Sequence, residues 1–339
     1  MRDYITVPGE GLEPSRAEAR TILSRLRLPI PPSRQHVYNT PAMERKQKIV
    51  VIVGPTSSGK SGLAVELARK FNGEVISADS RQVYRGLNIG TGKITKREMR
   101  GVRHHLLDVA SPKKVFTAQD FIDRARPVIE DVAKRGKLPI VAGGTGFYID
   151  ALVGRVELPD VRINPRLRAR LEKKTAPELL LLLKKNDPRR ARNVDHHNKR
   201  RLIRALEIID KLGKVPCVKD RPWYDAAWIG LKSPARELEQ KITHRLLTRI
   251  KSGLVAEAKR LRAHGLSYTR MEQLGLEYRY LALLLQHKIT GSEFKSQLTN
   301  AICKYAKRQM TYWRRNKNIR WFEPGNAKSI EQATLKFLA

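Results

Sequence analysis

The clearest pattern along the chain is an alternation of short apolar runs with amphipathic stretches. Residues 49–53 (IVVIV) form a continuous β-branched run, which is typical of a strand buried on both faces of a parallel sheet. A glycine-rich turn follows, and residues 61–71 then carry apolar side chains at the i, i+3, i+4 spacing of a helix. This pattern predicts a strand, a turn and a helix in immediate succession.

Two further strands and a helix continue the alternation. Residues 74–78 and 138–142 are predicted as strands, and residues 116–134 as an amphipathic helix that begins after Thr117, with Asp120 three residues later. Strands that alternate with helices indicate an α/β fold with a parallel, doubly wound sheet. We therefore expect a parallel sheet flanked by helices.

The pattern becomes almost wholly helical after residue 156. We predict helices at 200–212 (ended by Gly213), 236–250, 253–264, 271–286 and 292–315, a buried helical leucine run at 179–183, and strands at 227–231 and 319–322. This divides the chain into a disordered extension (1–42), a core domain (43–158 plus 222–339) and a helical insertion domain (159–221).

Charge is the first indication of a partner. The chain carries 68 Lys and Arg against 33 Asp and Glu, a net charge of +35, which exceeds what solubility needs. Residues 159–221 hold 19 basic and 8 acidic residues, and residues 304–320 hold seven basic and no acidic ones, interleaved with aromatic side chains. This composition suits a nucleic acid with unstacked bases. A solvated basic surface without a ligand is the alternative.

Several classes of protein are excluded by what the sequence lacks. Its apolar runs, residues 179–183 and 281–285, fall far short of the roughly 18 residues that a membrane span needs. The N-terminal residues contain no apolar signal region. Cys217 and Cys303 form no CxxC pair, which excludes a disulfide framework and a cysteine zinc site. We expect a cytoplasmic protein with no membrane partner.

The strongest single motif is GPTSSGKS, which matches GxxxxGK[ST] and lies between a predicted strand and a predicted helix. Backbone N–H groups of such a loop converge on a phosphate, and the helix dipole favours negative charge there. Lys60 adds a positive charge, and Ser61 offers its hydroxyl to Mg²⁺. The motif predicts a P-loop NTPase-like fold whose phosphate-binding residues are Gly54, Pro55, Thr56, Ser57, Ser58, Gly59, Lys60 and Ser61.

The carboxylate that usually accompanies a P-loop is absent after the strand predicted at 138–142. Ordinary P-loop NTPases place a metal-binding Asp at the end of such a strand, whereas this one continues into GGTG at 143–146. The strand predicted at 74–78 is followed instead by Asp79, at the edge where α/β proteins bind ligands. Asp79 is therefore a candidate metal ligand or general base, and a turn aspartate is the alternative.

Six sequence blocks in one order resemble those of the tRNA dimethylallyltransferases, also called tRNA isopentenyltransferases. The blocks are GPTSSGKS at 54–61, DSRQVYRGLNIGTGK at 79–93, HHLLD at 104–108, FTAQDF at 116–121, VAGGTGFY at 141–148 and RRLIRALEI at 200–208. The resemblance extends over about residues 49–322. No Cys/His zinc-finger pattern follows, as it does in eukaryotic relatives, so we expect a bacterial-type enzyme.

The resemblance implies transfer of the dimethylallyl group from dimethylallyl diphosphate to N6 of the adenosine 3′ of the tRNA anticodon, position 37. It implies three catalytic residues: Asp79 as the base for the N6 proton, Thr145 as a positioning residue, and Arg245 as a cation for the leaving pyrophosphate. Mg²⁺ is the implied cofactor, with Ser61 as its ligand. Fixed cations and dipoles favour such a departure because they meet the growing negative charge.

The resemblance also implies a tRNA-binding surface, with the basic insertion as a clamp and the target base splayed out of its stack. Its residues would be Asp79, Ser80, Arg81, Gln82, Arg168, Arg200, Arg201, Arg204, Lys307, Arg308, Gln309 and Arg314, together with residues 272–277. Two positions depart from the family: Leu276 stands where Tyr is usual, and Tyr312 takes a Trp position. We expect a monomer that binds the anticodon stem-loop.

Three other functions stay open from the sequence. A P-loop small-molecule kinase agrees with GPTSSGKS, but it leaves the large basic helical half unexplained. An adenylate isopentenyltransferase, which prenylates a free nucleotide, needs no such surface. A non-catalytic RNA-binding protein with a relic P-loop is the third, and an Asp79→Ala variant separates it from an enzyme.

Overall fold

The computed structural model describes residues 46–216 and 222–339, and their centre is a six-stranded parallel sheet. The strands are β1 (Lys48–Val53), β2 (Gly73–Ser77), β3 (His104–His105), β4 (Leu138–Ala142), β5 (Asp225–Leu231) and β6 (Arg320–Phe322). Their order in the sheet is β3-β2-β4-β1-β5-β6, and each neighbouring pair is parallel. The predicted parallel sheet is confirmed, while the extension predicted at 1–42 lies outside the described residues.

Helices cover both faces of this sheet, and loops connect the helices and strands. They are α1 (Lys60–Lys70), α2 (Lys96–Met99), α3 (Ala118–Lys134), α4 (Gly146–Leu152), α5 (Pro165–Glu172), α6 (Ala176–Asn186), α7 (Pro188–Asn193), α8 (Lys199–Leu212), α9 (Ala235–Lys251), α10 (Leu254–Ala263), α11 (Tyr268–Gln273), α12 (Leu276–Leu285), α13 (Gly291–Trp313) and α14 (Ala327–Leu338). None of these described helices is long and apolar enough to cross a membrane.

Local sequence signals explain where the strands and several helices lie. Residues 49–53 of β1 are fully buried because β1 is an interior strand with helices packed on both faces. Helix α3 begins with the predicted capping box, in which Thr117 Oγ1 accepts from Asp120 N and the Asp120 carboxylate accepts from Thr117 N. Helix α8 ends at Gly213, whose φ of 77° few other residues adopt.

The insertion consists of α5 to α8 around an apolar cluster of its own. Leu179 and Leu183 are fully buried in that cluster, but Leu181 is 65% exposed. The prediction that the whole leucine run is buried was therefore wrong, because residues four apart share a helix face while the residue between them points away. The domain boundaries at 158/159 and 221/222 stay predictions.

The structure corrects the sequence prediction in two further places. The single helix predicted at 271–286 is two helices, α11 and α12, separated at Leu274 and Gly275. Gly275 has a φ of 126°, which L-residues rarely adopt, and the Arg81 side chain occupies the space beside it. Helix α14 was not predicted; its Ile330 is buried against the sheet.

Candidate active site

Three chain segments meet at the carboxyl edge of the sheet. The P-loop follows β1, the turn at residues 143–145 follows β4, and Asp79 follows β2. They converge because β2, β4 and β1 are consecutive in the sheet. Gly143 N donates to Ile52 O at 3.2 Å, and a Cβ at Gly143 would collide with the carbonyl of Ala78. A glycine is therefore required for this close approach of the three segments.

The P-loop joins β1 to α1 in a conformation that depends on glycine. Gly54 has a φ of 147°, and a Cβ there would lie 2.6 Å from Leu231 O at the end of β5. Lys60 Nζ donates to Pro55 O at 2.6 Å, which folds the lysine back over the loop. Lys60 and Ser61 thereby reach the same cavity at the sheet edge.

That cavity has a volume of about 390 Å³ and collects charged groups from distant parts of the chain. Helix α9 contributes Arg245 and Arg249, and α12 contributes Glu277. Arg249 Nη1 lies 3.5 Å from Glu277 Oε1, while Arg245 Nη2 donates to Gly92 O at 3.1 Å. Two arginines of α9 therefore line the cavity together with Lys60.

Asp79 and Thr145 shape the turn that follows β2 at the cavity. Asp79 Oδ1 accepts from the backbone N–H groups of Arg81 at 2.8 Å and Gln82 at 3.3 Å. Thr145 Oγ1 accepts from Ser80 N at 3.0 Å, so it fixes the residue next to Asp79. Among the described residues, the hydrogen bonds to Asp79 fall on Oδ1. Asp79 is thus a turn aspartate that also faces the cavity and offers Oδ2 to a ligand.

The cationic groups of the cavity hold their charge in a desolvated setting. Burial lowers the pKa of Lys60 to about 8, although the charge of Asp79 opposes the shift. Burial likewise lowers the pKa of Arg245 to about 10, and the charge of Arg249 adds to this. Burial raises the pKa of Glu277, against the effect of Arg249. Cations held close together in this way favour binding of an anion.

Gln309 links helix α13 to both phosphate-side loops. Its Oε1 accepts from Thr56 N at 2.9 Å, and its Nε2 donates to Gly144 O at 2.9 Å. Gln309 is buried, and a Cβ at Gly144 would lie 2.5 Å from its Nε2. The side chain predicted to contact tRNA therefore fastens the P-loop to the turn after β4.

The comparison with family models decides the class of protein. A family described as "IPP transferase" matches residues 82–316, which is more than half of the chain. The chain belongs to the IPP transferase family. It is 41% identical to the tRNA dimethylallyltransferase of Leuconostoc citreum over 267 residues, 79% of this chain and 90% of that protein. It is 42% identical to tRNA dimethylallyltransferase 2 of Treponema denticola over 81% of this chain and 94% of that protein.

Solved structures of the family show the same fold. The full-length tRNA isopentenylpyrophosphate transferase of Bacillus halodurans is 38% identical and matches with a TM-score of 0.65 over 86% of this chain and 96% of that one. A eukaryotic dimethylallyltransferase acting on tRNA is 26% identical and matches with a TM-score of 0.74 over 86% and 77%. The predicted fold class, the resemblance to the tRNA dimethylallyltransferases and the prenyltransferase class are confirmed. The kinase alternative gains no support.

This IPP transferase brings most of the residues predicted to bind tRNA together at the cavity. Those that line it are Asp79, Ser80, Arg81, Gln82, Arg200, Arg308 and Gln309, together with Glu272, Gln273, Gly275, Leu276 and Glu277. Lys307 and Arg314 lie on the exposed surface of the C-terminal part of α13 and just beyond it. Arg201 is also exposed, whereas Arg168 and Arg204 are directed to the buried Glu207 inside the insertion. All of these roles in tRNA binding stay predictions.

Sequence reasoning missed several residues of the cavity, among them Arg249 and Tyr305. Arg249 lies one helical turn after Arg245, so the i, i+4 spacing within α9 was the signal that could have found it. Tyr305 was noticed only as an aromatic residue of the basic segment, yet its ring lines the cavity, with the Arg308 guanidinium 5.7 Å from the ring centroid. Because residues i and i+4 share a helix face, the position one turn after Arg245 was itself a candidate for the site.

Proposed function

We propose that this IPP transferase moves the dimethylallyl group of dimethylallyl diphosphate to N6 of the adenosine 3′ of a tRNA anticodon. The observation that carries the proposal is one cavity lined by P-loop residues, the two arginines of α9 and Asp79. The cations suit a diphosphate, and the carboxylate suits the proton of an exocyclic amine. The name of the eukaryotic structural relative, a dimethylallyltransferase acting on tRNA, supports the same substrate class.

The phosphate side of the cavity would bind the diphosphate and stabilise it as it leaves. Backbone N–H groups at the start of α1 and the Lys60 ammonium would contact its oxygens, together with Arg245, which also lines the cavity. As the bond from C1 of the dimethylallyl group to the bridging oxygen breaks, its electron pair leaves with the pyrophosphate. Lys60 and Arg245 are held in place by Pro55 O and Gly92 O, so they meet this charge without reorganising.

Asp79 would act on the acceptor side. N6 of the adenosine forms the new bond to C1, and the proton that N6 loses passes to Asp79 Oδ2. Oδ1 already accepts two backbone N–H groups, which fixes the orientation of the carboxylate. Thr145 would serve as a positioning residue, since its hydroxyl holds Ser80 N beside Asp79.

The residues present fit Mg²⁺ that takes most of its ligands from the diphosphate and water. The cavity offers a hard oxygen donor in the Ser61 hydroxyl. Within residues 46–216 and 222–339, no group of three or more His, Cys, Asp and Glu side chains could hold a metal alone. Mg²⁺ commonly binds in this way, through few protein ligands and substrate phosphates. When bound, it would supply further positive charge to the diphosphate.

The tRNA would approach over the basic rim of the cavity. Arg81, Arg200 and Arg308 line the cavity from three separate elements, and Tyr305 offers an aromatic face among them. Phosphate contacts from arginines and stacking on an aromatic ring are the usual means of holding a splayed single-stranded base. We propose that these residues hold the anticodon loop with its target adenosine turned into the cavity.

The test is nucleoside mass spectrometry of an unmodified tRNA with adenosine 3′ of its anticodon, after incubation with the enzyme, Mg²⁺ and dimethylallyl diphosphate. We expect a gain of one C5 unit on adenosine. Asp79→Ala should lower turnover about 10²–10⁴-fold, because general-base catalysis contributes this much, while tRNA affinity changes little. Asp123→Ala, on the exposed face of α3, is the control and should behave as wild type. ATP consumption with a small acceptor, without modified adenosine, would overturn the proposal.

A further inference from the structure

Glu257, on helix α10, is a buried carboxylate with four hydrogen-bond donors around it. It is 3% exposed, and its Oε2 accepts from the backbone N–H groups of Asn88 at 3.0 Å and Ile89 at 2.8 Å. Its Oε1 accepts from Gly90 N at 3.0 Å and from the Tyr278 hydroxyl at 2.6 Å. Three consecutive N–H groups of one loop thus depend on a single side chain. Loss of this carboxylate would leave buried N–H donors without an acceptor, which is energetically unfavourable.

The same loop reaches the cavity on its other side. The loop, residues 88–93, is closed by bonds from Gly92 N to Ile89 O at 3.0 Å and from Lys93 N to Asn88 O at 2.9 Å. The carbonyl of Gly92 then accepts from Arg245 Nη2 at 3.1 Å. Glu257 and Arg245 do not share a bond, but each holds one side of this short turn.

The loop lies close to Tyr278 on one side and to Arg245 and Arg249 on the other. A Cβ at Gly90 would lie 2.6 Å from the Tyr278 hydroxyl oxygen. A Cβ at Gly92 would lie 2.6 Å from Arg245 Nη2 and would collide with Arg249. A shift of the loop in either direction therefore changes the position of Arg245, because its backbone acceptor moves with the loop.

We propose that Glu257 is a positioning residue for the transfer reaction, which acts by fixing the 88–93 loop so that Gly92 O aims Arg245 at the diphosphate. The inference rests on the proposed function, in which Arg245 stabilises the leaving pyrophosphate. Misplacement of a catalytic group by about 1 Å can cost about 10²-fold in rate, so a residue remote from the substrate can have a large effect.

The experiment is a double-mutant cycle with Glu257→Gln and Arg245→Ala, measured as kcat/KM for dimethylallyl diphosphate with saturating tRNA. Glutamine keeps the size of the side chain but loses acceptor capacity at one terminal atom. We expect Glu257→Gln to lower kcat/KM about 10–100-fold in the wild-type background and less than about threefold in the Arg245→Ala background. Such non-additivity identifies an effect that passes through Arg245.

Glu74→Gln is the matched control for removal of a buried carboxylate. Glu74 lies on β2, bonded to Arg135, Lys137 and His105 and outside the cavity lining. Its substitution should have the same fold-effect on kcat/KM in both backgrounds. If Glu257→Gln behaves like this control, with equal effects in both backgrounds, or leaves kcat/KM at the wild-type value, the positioning role is overturned.

Gly90→Ala provides a second route if Glu257→Gln fails to fold. It pushes the loop away from Tyr278 while it keeps Glu257, and it should also lose its effect on kcat/KM when Arg245 is already alanine. Equal effects of Gly90→Ala in both backgrounds would contradict the inference. Failure of the proposed function looks different: Arg245→Ala would then keep wild-type kcat/KM, or wild type would not prenylate tRNA, whatever the effect of Glu257→Gln.

Discussion

Two arginines of the insertion and two arginines of helix α9 have opposite surroundings. In the insertion, Arg168 makes a two-pronged contact with Glu207, whose side chain is fully buried, and Arg204 lies 3.5 Å from the same carboxylate. In the cavity, Arg245 is held by a backbone carbonyl, and Arg249 lies 3.5 Å from the Glu277 carboxylate. The first pair is bonded to a carboxylate inside the insertion, whereas the second pair lines the cavity.

This difference shows why charge density is a poor guide to a binding surface. The insertion is the longer basic segment, yet two of its arginines that seemed suited to tRNA are directed inward to one carboxylate. An arginine that is neutralised by a buried partner contributes less to the external field than one that faces a desolvated cavity. If the two pairs of arginines differ in function as they differ in contacts, their substitution should have different effects on turnover and on stability.

Among the arginine variants, the largest expected effect is that of Arg245→Ala on turnover. Removal of one fixed donor for developing charge costs about 10²–10³-fold in kcat, so we expect a loss of this size with little change in melting temperature. Steady-state kinetics and thermal unfolding measure the two quantities on the same sample. A variant with wild-type kcat would mean that this cavity arginine has no more to do with the reaction than the insertion arginines.

A smaller effect is expected from pH, through Lys60. Burial holds the pKa of Lys60 at about 8 in the free enzyme, so its ammonium is present below pH 8 and is lost above it. Diphosphate binding should weaken as the charge disappears, and kcat/KM for dimethylallyl diphosphate should fall up to tenfold for each pH unit above 8. Lys60→Arg should show no such fall between pH 8 and 9.5. A flat wild-type profile over this range would contradict the expectation.

The smallest effect on catalysis is expected for Arg168→Ala. Loss of the two-pronged contact leaves the buried Glu207 with fewer donors, which should destabilise the protein by about 1–3 kcal/mol. Thermal or urea unfolding should reveal this loss, and the Arg168→Ala/Glu207→Gln double variant should be less destabilised than the sum of the single variants. Unchanged stability together with a raised KM for tRNA would show that Arg168 contacts tRNA, as the resemblance implies.

Elements with a strong local signal were predicted well. Strand β4 has the predicted bounds, and α3 begins at the predicted capping box, because apolar runs and caps act over a few residues. The break between α11 and α12 was missed because the apolar spacing continues across Gly275, whose unusual φ goes with the packing of Arg81 beside it. Helix α14 was missed although its apolar residues pack on the sheet.

The candidate site likewise contains residues that could be predicted from the sequence and residues that only the tertiary structure revealed. The P-loop and Asp79 were found from motif and strand order, since the carboxyl ends of neighbouring parallel strands must meet. Gln309 was assigned to tRNA, but its bonds to Thr56 and Gly144 depend on how α13 docks. Arg249 and Glu257 had no motif to mark them, and the loop that joins Glu257 to Arg245 is visible only in three dimensions.

The sequence by itself determined the parallel sheet, the phosphate loop and the family, because these depend on short patterns whose physics is local. Only the tertiary structure decided which charges face the cavity. Arg168 meets Glu207 across 39 positions of sequence, Arg245 meets Gly92 across 153, and Glu257 meets Asn88 across 169. Such pairings follow from the packing of whole helices, whose side-chain partners no local period of the sequence encodes.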